Sequence, residues 1–301
     1  HARIDSDAQP GAIDRPRPLF GSRAHDDVPY AVSISPAGDL LATGGRDGVI
    51  YFWKLEPDGT ASLAEDGTLR WGHGTVRSLQ FSSDGRHILV GGGWAVLVYD
   101  VATRAPSPDY APFWFGSHAC TWAANETAVL ATDADGVRVW ETRGGQHERS
   151  WRVHEGRCRT IAASPTEDLV ATTSIEGQVR LWNTNDFSLR AALEGHAGIA
   201  WRAVFSPDGK NLATVGADQS IKIWNVASGT LERSIKVPPD EFLSMAYSPD
   251  GQTIAGGARF DRFQTWNAQT GEPKGALNLG GGSVACAFNP DGSTIAAHVA
   301  R

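Results

Sequence analysis

Three sets of polar residues recur in this chain at one spacing. His25, Thr43, Asp47 and Trp53 are separated by 18, 4 and 6 positions, as are His196, Thr214, Asp218 and Trp224. A third set, His154, Thr172, Glu176 and Trp182, keeps the spacing but lengthens the acid. A histidine, a hydroxyl and a carboxylate invite comparison with a nucleophilic triad, which needs an exposed nucleophile beside its base and an oxyanion hole. The sequence supplies no oxyanion hole, and one catalytic site is not expected three times over, so the three sets read as structural. Other chemistry is sparse. Cys120, Cys158 and Cys286 stand far apart, and His118 with Cys120 makes too small a group for a metal. Asp133-Ala134-Asp135-Gly136 begins like a calcium loop but lacks the later ligands. Asn125-Glu126-Thr127 is a glycosylation sequon in a turn. No phosphate-cradling or hydrolase motif occurs, so no cofactor, metal or catalytic residue is expected.

The elements that must hold these residues show a period. Trp53, Trp140, Trp182, Trp224 and Trp266 each end a short apolar run, the last three intervals are all 42, and Tyr99 takes the slot between the first two. A second marker opens the turn after each unit's first strand: Ser35, Ser82, Ala124, Ser164, Ser206, Ser248 and Asn289. Seven units follow. Inside one, Ala203-Val204-Phe205 leads into Ser206-Pro207-Asp208-Gly209, where proline fixes φ and glycine closes the turn. Asn211 to Thr214, a turn at Ala217-Asp218, and the alternating Ser220-Ile221-Lys222-Ile223-Trp224 give two more strands, and Val226 to Thr230 turns into a fourth. No segment sustains a helical period, so the chain is all-β.

Four strands in about 42 residues, seven times over, resembles the WD-repeat family of β-propellers across nearly the whole chain. The resemblance implies one all-β, seven-bladed propeller of four-stranded antiparallel blades, the first strand of each innermost. It also implies that each His/Thr/acid/Trp set is a buried hydrogen-bond chain ending on the indole N–H. Blades are expected at about 25–66, 73–113, 116–151, 154–193, 196–236, 238–278, and 282–301 completed by 7–22. The last unit stops at Arg301, before its third and fourth strands, so the N-terminus is expected to close the ring: Pro18 to Ser22 as the outermost strand and Asp7 to Asp14 as the third, weakened by Pro10. Units two, three and six depart from the pattern. The second has His73, Val90 and Gly91-Gly92-Gly93-Trp94 with Tyr99-Asp100, and the sixth has Gly256 and Phe260 in the Thr and Asp slots. These blades must lean on apolar packing.

Composition bounds the function. The 301 residues are 41% hydrophobic and 20% charged, with net charge −7, which argues against coating nucleic acid or anionic membrane. No apolar run approaches 18 residues, no signal-peptide core precedes the first strand, and scattered cysteines suit a reducing compartment, so a cytoplasmic protein is expected. Partners of such propellers cross the face built by the strand-entry loops and the second-to-third-strand turns. Counting from the markers puts Tyr30, Arg46, Arg77, Trp94, Arg157, Arg159, Trp201, Glu241 and Arg259 there, beside Val28, Thr75, Ile175, Ile199, Ala217 and Leu243. Five arginines against one glutamate give a local +4. Of the tryptophans outside the repeat position, Trp94 and Trp201 are expected to be exposed, and Trp71, Trp114, Trp122 and Trp151 to pack inside.

The expected function is a non-catalytic interaction or sensing platform, monomeric as an isolated domain and a module of a larger bacterial signalling protein. Its partner would be a protein or peptide segment, acidic or phosphorylated. Arginine outnumbers lysine 22 to 5, a bias typical of GC-rich genomes that could by itself crowd arginine onto one face, and this reading stands beside the first. The alternatives are an enzyme with a channel-centred site, disfavoured by Val32, Ile161, Ala203, Met245 and Cys286 on the innermost strands, and a weak, salt-sensitive nucleic-acid binder.

Overall fold

The computed structural model describes residues 2–5, 17–18, 25, 27–56, 60–124, 126–133, 136–141, 148–239, 242–258, 262–278 and 282–300. Each unit folds into an antiparallel sheet because its turns are built to reverse the chain. At Ser206-Pro207-Asp208-Gly209 the Ser206 N–H donates to the Asn211 carbonyl at 2.8 Å, and the Gly209 N–H donates to Ser206 O at 2.9 Å. Gly209 sits at φ +70, where a side chain would be strained. The Ser206 hydroxyl donates to Asp208 at 2.6 Å, and the same aspartate accepts from the Lys210 N–H, so the turn satisfies its own polar groups.

The strands, in chain order, begin with β1 (Ala2–Asp5) and β2 (Arg17–Pro18). The first sheet is β3 (Pro29–Ile34), β4 (Leu40–Gly45), β5 (Val49–Leu55) and β6 (Ala61–Arg70), and the second is β7 (Val76–Phe81), β8 (His87–Gly92) and β9 (Ala95–Asp100). The third comprises β10 (Cys120–Trp122), β11 (Ala128–Thr132), β12 (Val137–Glu141) and β13 (Glu148–Trp151). The fourth comprises β14 (Cys158–Ala163), β15 (Leu169–Ser174), β16 (Val179–Asn183) and β17 (Leu189–Leu193). The fifth is β18 (Ala200–Phe205), β19 (Asn211–Gly216), β20 (Ser220–Asn225) and β21 (Leu231–Lys236). The sixth is β22 (Phe242–Tyr247), β23 (Thr253–Ala258), β24 (Arg262–Asn267) and β25 (Pro273–Asn278), and β26 (Gly282–Phe288) and β27 (Thr294–Ala300) begin the last.

The innermost strands form a closed cycle: β3 packs on β7, β7 on β10, β10 on β14, β14 on β18, β18 on β22, β22 on β26, and β26 on β3. This is an all-β propeller with four-stranded antiparallel blades. Among the described residues six sheets are four-stranded blades, not the seven expected, and the second sheet has three strands. The cause lies in residues 101–116. Pro106, Pro108 and Pro112 remove the donors a regular outer strand would need. That segment instead touches β9 at the isolated bridges Tyr99↔Pro106 and Val96↔Phe113.

Burial falls outward along each blade: β19 is buried at five of its six positions, whereas β21 is mostly exposed. The core is a set of slabs between neighbouring sheets, such as Ala213, Ile221, Phe242, Ile254 and Trp266 between the fifth and sixth. Each sheet is covered on both faces, so each depends on its neighbours.

The last sheet has the order β2-β1-β27-β26. Its third strand is Ala2–Asp5, with Ile4 opposite Ile295, and not the segment Asp7 to Asp14, which lies outside the described residues. Ala-Arg-Ile-Asp offers every backbone N–H, whereas Pro10 lacks one. The outermost strand, Arg17–Pro18, overlaps the expected Pro18 to Ser22 only at Pro18.

Removing residues 1–18 exposes the outer edge of β27. The shortened chain is expected to melt at lower temperature and to self-associate with rising concentration, measured by differential scanning fluorimetry and light scattering; an unchanged monomer would count against this closure.

Candidate interaction face

The repeated polar sets occupy the seam between entry loop, second strand and third strand. In the fifth sheet, Trp224 Nε1 donates to Thr214 Oγ1 at 2.9 Å, Thr214 Oγ1 lies 2.8 Å from His196 Nε2, and His196 Nδ1 lies 2.8 Å from Asp218 Oδ1. The first sheet repeats the chain through Trp53, Thr43, His25 and Asp47 at 3.2, 3.1 and 2.8 Å. The carboxylate can only accept, so Nδ1–H donates to it, and in the neutral ring Nε2 is left to accept from the threonine hydroxyl. One neutral tautomer satisfies every partner. Burial, opposed by Asp47 or Asp218, holds His25 and His196 below the ordinary histidine value of 6.5. Asp218 is itself held below the usual carboxylate range: burial raises it, but hydrogen bonds from Ser220 and His196 outweigh that.

The fourth sheet differs from expectation. Trp182 and Thr172 take their places at 2.9 Å, and Thr172 lies 2.9 Å from His154, but His154 Nδ1 faces Gln178 Oε1 at 3.1 Å. Glu176 is exposed. Its extra methylene carries the carboxylate past the position that Asp218 fills, and the amide two residues later occupies the gap. Burial again lowers the His154 pKa, against the hydrogen bond to Gln178.

Where the hydroxyl is missing, aromatic packing replaces it. A Cβ on Gly256 would lie 3.0 Å from Phe242 and 3.1 Å from Trp266, and those two rings meet edge-on at 5.4 Å. In the third sheet Trp140 packs against Phe113 and Phe115 at 3.9 and 5.1 Å. In the second, Tyr99 lies 6.1 Å from Trp71, itself edge-on to His73 at 5.0 Å. Phe260 lies outside the described residues.

Above these seams a rim is built by a recurring β-bulge. Six innermost strands, β3, β7, β14, β18, β22 and β26, shift register near their first residues. A bulge turns one side chain out of the ladder, and in four of these strands that residue is Tyr30, Arg77, Arg159 or Trp201. The Arg77 guanidinium lies 5.6 Å from the Tyr30 ring centre, and Arg159 lies 5.2 Å from the Trp201 ring. Cation–π contact at such distances orders the guanidinium planes.

His118 joins the two halves of this arc. The third hairpin opens at Ala123, whose N–H donates to Ala128 O at 2.9 Å, and not at the expected Ala124. Glu126, at φ 54, stands where five of the other six hairpins have glycine, which hid the register. The corrected count puts His118 level with Arg77 and Arg159. Its Nδ1 is buried without a hydrogen-bond partner. Burial first, then Arg77, Arg159 and Arg157, lower its pKa to about 4, so it is neutral at pH 7.

The remaining rim residues divide. Turn residues meet entry loops through the backbone: the N–H groups of Arg46, Ile175 and Ala217 donate to the carbonyls of Val28, Arg157 and Ile199 at 2.8, 3.1 and 2.8 Å. Arg157 is exposed beside the arc, whereas Arg46 pairs with Asp27 at 3.7 Å, an exposed ion pair of small worth. Trp94 is 59% exposed, as expected, but so is Trp114 at 63%, with His73 against it at 5.2 Å. Trp201 is only partly exposed and its indole N–H is buried without a partner. Glu241 and Arg259 lie outside the described residues. Sequence reasoning missed both His118 and Arg202, the residue after the bulged Trp201. The innermost residues Ile161, Ala203, Met245 and Cys286 are buried. Among the described residues no three His, Cys, Asp or Glu side chains gather as metal ligands do.

The family model described as "WD domain, G-beta repeat" matches residues 17–54, 62–100, 145–183 and 187–225, together just over half of the chain. The small ribosomal subunit protein RACK1y of Oryza sativa subsp. japonica is 27% identical over 128 residues, 40% of this chain and 36% of that protein. Protein hir1 of Aspergillus terreus is 23% identical over 161 residues, 51% of this chain and 15% of its own length. Protein HIR1 of Chaetomium globosum is 26% identical over 157 residues, 50% of this chain and 12% of its own. The chain thus spans well under half of each of these relatives. All three are eukaryotic, and the bacterial origin read from the arginine bias finds no support among them.

Thr214→Val keeps the shape but leaves the Trp224 N–H and His196 Nε2 unpaired, so a loss of about 1–3 kcal/mol is expected from urea denaturation. The histidines set a pH dependence. Because His25, His118, His154 and His196 are lowered in the folded chain, the unfolded chain binds more protons below pH 6.5, and stability falls as pH drops from about 6.5 toward the folded values. The urea midpoint is expected to fall between pH 7 and pH 4, and to fall less in His118→Phe; parallel curves would remove His118 from this account.

Proposed function

The chain belongs to the WD-repeat family, and from that premise we propose that it is a non-catalytic protein-interaction platform whose rim takes an acidic or phosphorylated segment of its partner. Propellers of this kind bind proteins, and the relatives support a scaffold role. The observation that carries the finer reading is the arc Tyr30, Arg77, His118, Arg159 and Trp201 with Arg157 beside it. Two guanidinium planes are ordered by aromatic rings around a neutral histidine. Arginine forks match carboxylate and phosphate oxygens two at a time, and aromatic neighbours add area at low entropy cost. A rim of this composition on a molecule of net charge −7 favours an anionic partner over a basic one and over nucleic acid in bulk.

The platform would act as a monomeric module of a larger signalling protein. A cytoplasmic setting suits its three cysteines, all buried and free. Burial pushes the Cys286 thiol up to about 11 and Cys120 to about 12, so neither is a thiolate nucleophile at neutral pH.

A fluorescein-labelled glutamate-rich peptide, its phosphoserine counterpart and a glutamine-rich control of equal length test this reading by anisotropy. The anionic peptides are expected to bind and the control not. Arg157→Glu combined with Arg159→Glu is expected to weaken the anionic peptides at least about tenfold; equal binding of all three peptides, or an unaffected double variant, would sink it.

A further inference from the structure

One step below the rim, the six bulged innermost strands carry the residue that follows the bulge. The ladder pairs Ala31 with Gly44, Ser78 with Gly91, Thr160 with Thr173, Ser244 with Gly257 and Ala285 with His298. In β18 the same position, opposite Val215, is Arg202. One guanidinium therefore projects where the other strands present side chains no larger than threonine.

Its surroundings place it in the axial channel. Arg202 is rooted in the fifth sheet, yet its electrostatic neighbours are Cys120 of the third and Cys286 of the seventh. Each stands two sheets away around the ring, in opposite directions, and a side chain reaches both only across the axis. The serines of that level are already used: Ser78 Oγ donates to Cys120 O at 3.1 Å, and Ser244 Oγ donates to Cys286 Sγ at 3.4 Å. Both thiols are neutral, and among the described residues no carboxylate or other acceptor is bonded to Arg202. It is walled in by protein yet keeps some access to channel solvent. An enclosed cation without a counter-charge is costly, and guanidinium holds its proton throughout the accessible pH range. Toward the mouth stands a second unsatisfied group, the buried Nδ1 of His118.

We propose that the axial channel is a binding site for a small oxyanion, a phosphate or carboxylate group, held by the Arg202 guanidinium with His118 Nδ1 at its mouth. The small side chains of Ala31, Ser78, Thr160, Ser244 and Ala285 leave the room, and the five N–H donors of Arg202 supply the recognition. The site lies below the rim and does not depend on a peptide binding there. The anion is either a free ion or the acidic terminus of a longer ligand, and both offer the same oxygens to Arg202.

Thermal melting in inorganic phosphate, acetate and chloride at matched ionic strength tests the assignment. In the wild-type chain, phosphate or acetate at ten times its dissociation constant is expected to raise Tm by roughly 2–4 °C above chloride. Arg202→Met, which fills the same space without charge, is expected to lose that increment. No increment over chloride in the wild type, or an equal increment in the variant, overturns the proposal. Should Arg202→Met not fold, a phosphate titration of the wild type followed by NMR decides: saturable shifts of the His118 imidazole resonances are expected, and an unmoved spectrum overturns it. The rim reading fails separately, through the peptide measurements with Arg157→Glu and Arg159→Glu, while phosphate alone reads the channel.

Discussion

A buried hydroxyl caught between two nitrogens organises this molecule. Thr43, Thr172 and Thr214 each accept from an indole on the third strand and face an imidazole from the entry loop. The group on the far side of each imidazole, Asp47, Gln178 Oε1 or Asp218, only accepts, so Nδ1 carries the proton of the neutral ring and Nε2 is left to accept from the hydroxyl. That arrangement sets the tautomer and ties the loop to the sheet, while burial disfavours the charged imidazole. The loop then enters the innermost strand at a set height, and the bulge that follows turns a side chain toward the rim. The geometry of one face of the ring thus starts from a hydrogen bond inside the blade.

The rule is not obeyed everywhere, and the exceptions use a different force. Gly256 leaves no room for a hydroxyl because Phe242 and Trp266 close over it. Trp140 meets two phenylalanines from the irregular segment that stands in for an outer strand. Aromatic area is less directional than a hydrogen-bond chain, yet the sixth sheet keeps four regular strands on it. The second sheet has lost a strand to Pro106, Pro108 and Pro112, and beside it Trp94 and Trp114 remain largely in solvent.

Much of this was legible because spacing encodes register. The interval from His196 to Thr214 to Trp224 is that of residues meeting across adjacent strands, and the hydrogen bonds follow it. The rim residues Tyr30, Arg77, Arg159 and Trp201 were found by counting from a turn, and they share one bulge. Where glycine was missing from the third hairpin the count slipped by one: Glu126 holds the glycine conformation, the turn opens at Ala123 and not Ala124, and His118 was passed over. Glu176 was misassigned because spacing says nothing of side-chain length, and Gln178 stood closer. Arg202 was invisible for another reason. A charged residue on an innermost strand reads as one more polar position until the ring is closed and its distant neighbours are known. The three prolines were in plain sight but were outweighed by the regular spacing around them.

The sequence repeat and the sheet are out of step by one strand. Residues 17–54, 62–100 and 187–225 each begin in the outermost strand of one sheet, β2, β6 or β17, and continue through the three inner strands of the next. Every repeat therefore clasps its neighbour, and the last clasp is the first stretch of the chain. A chain cut between two sheets therefore splits a repeat, and one cut between two repeats parts a sheet from its outermost strand.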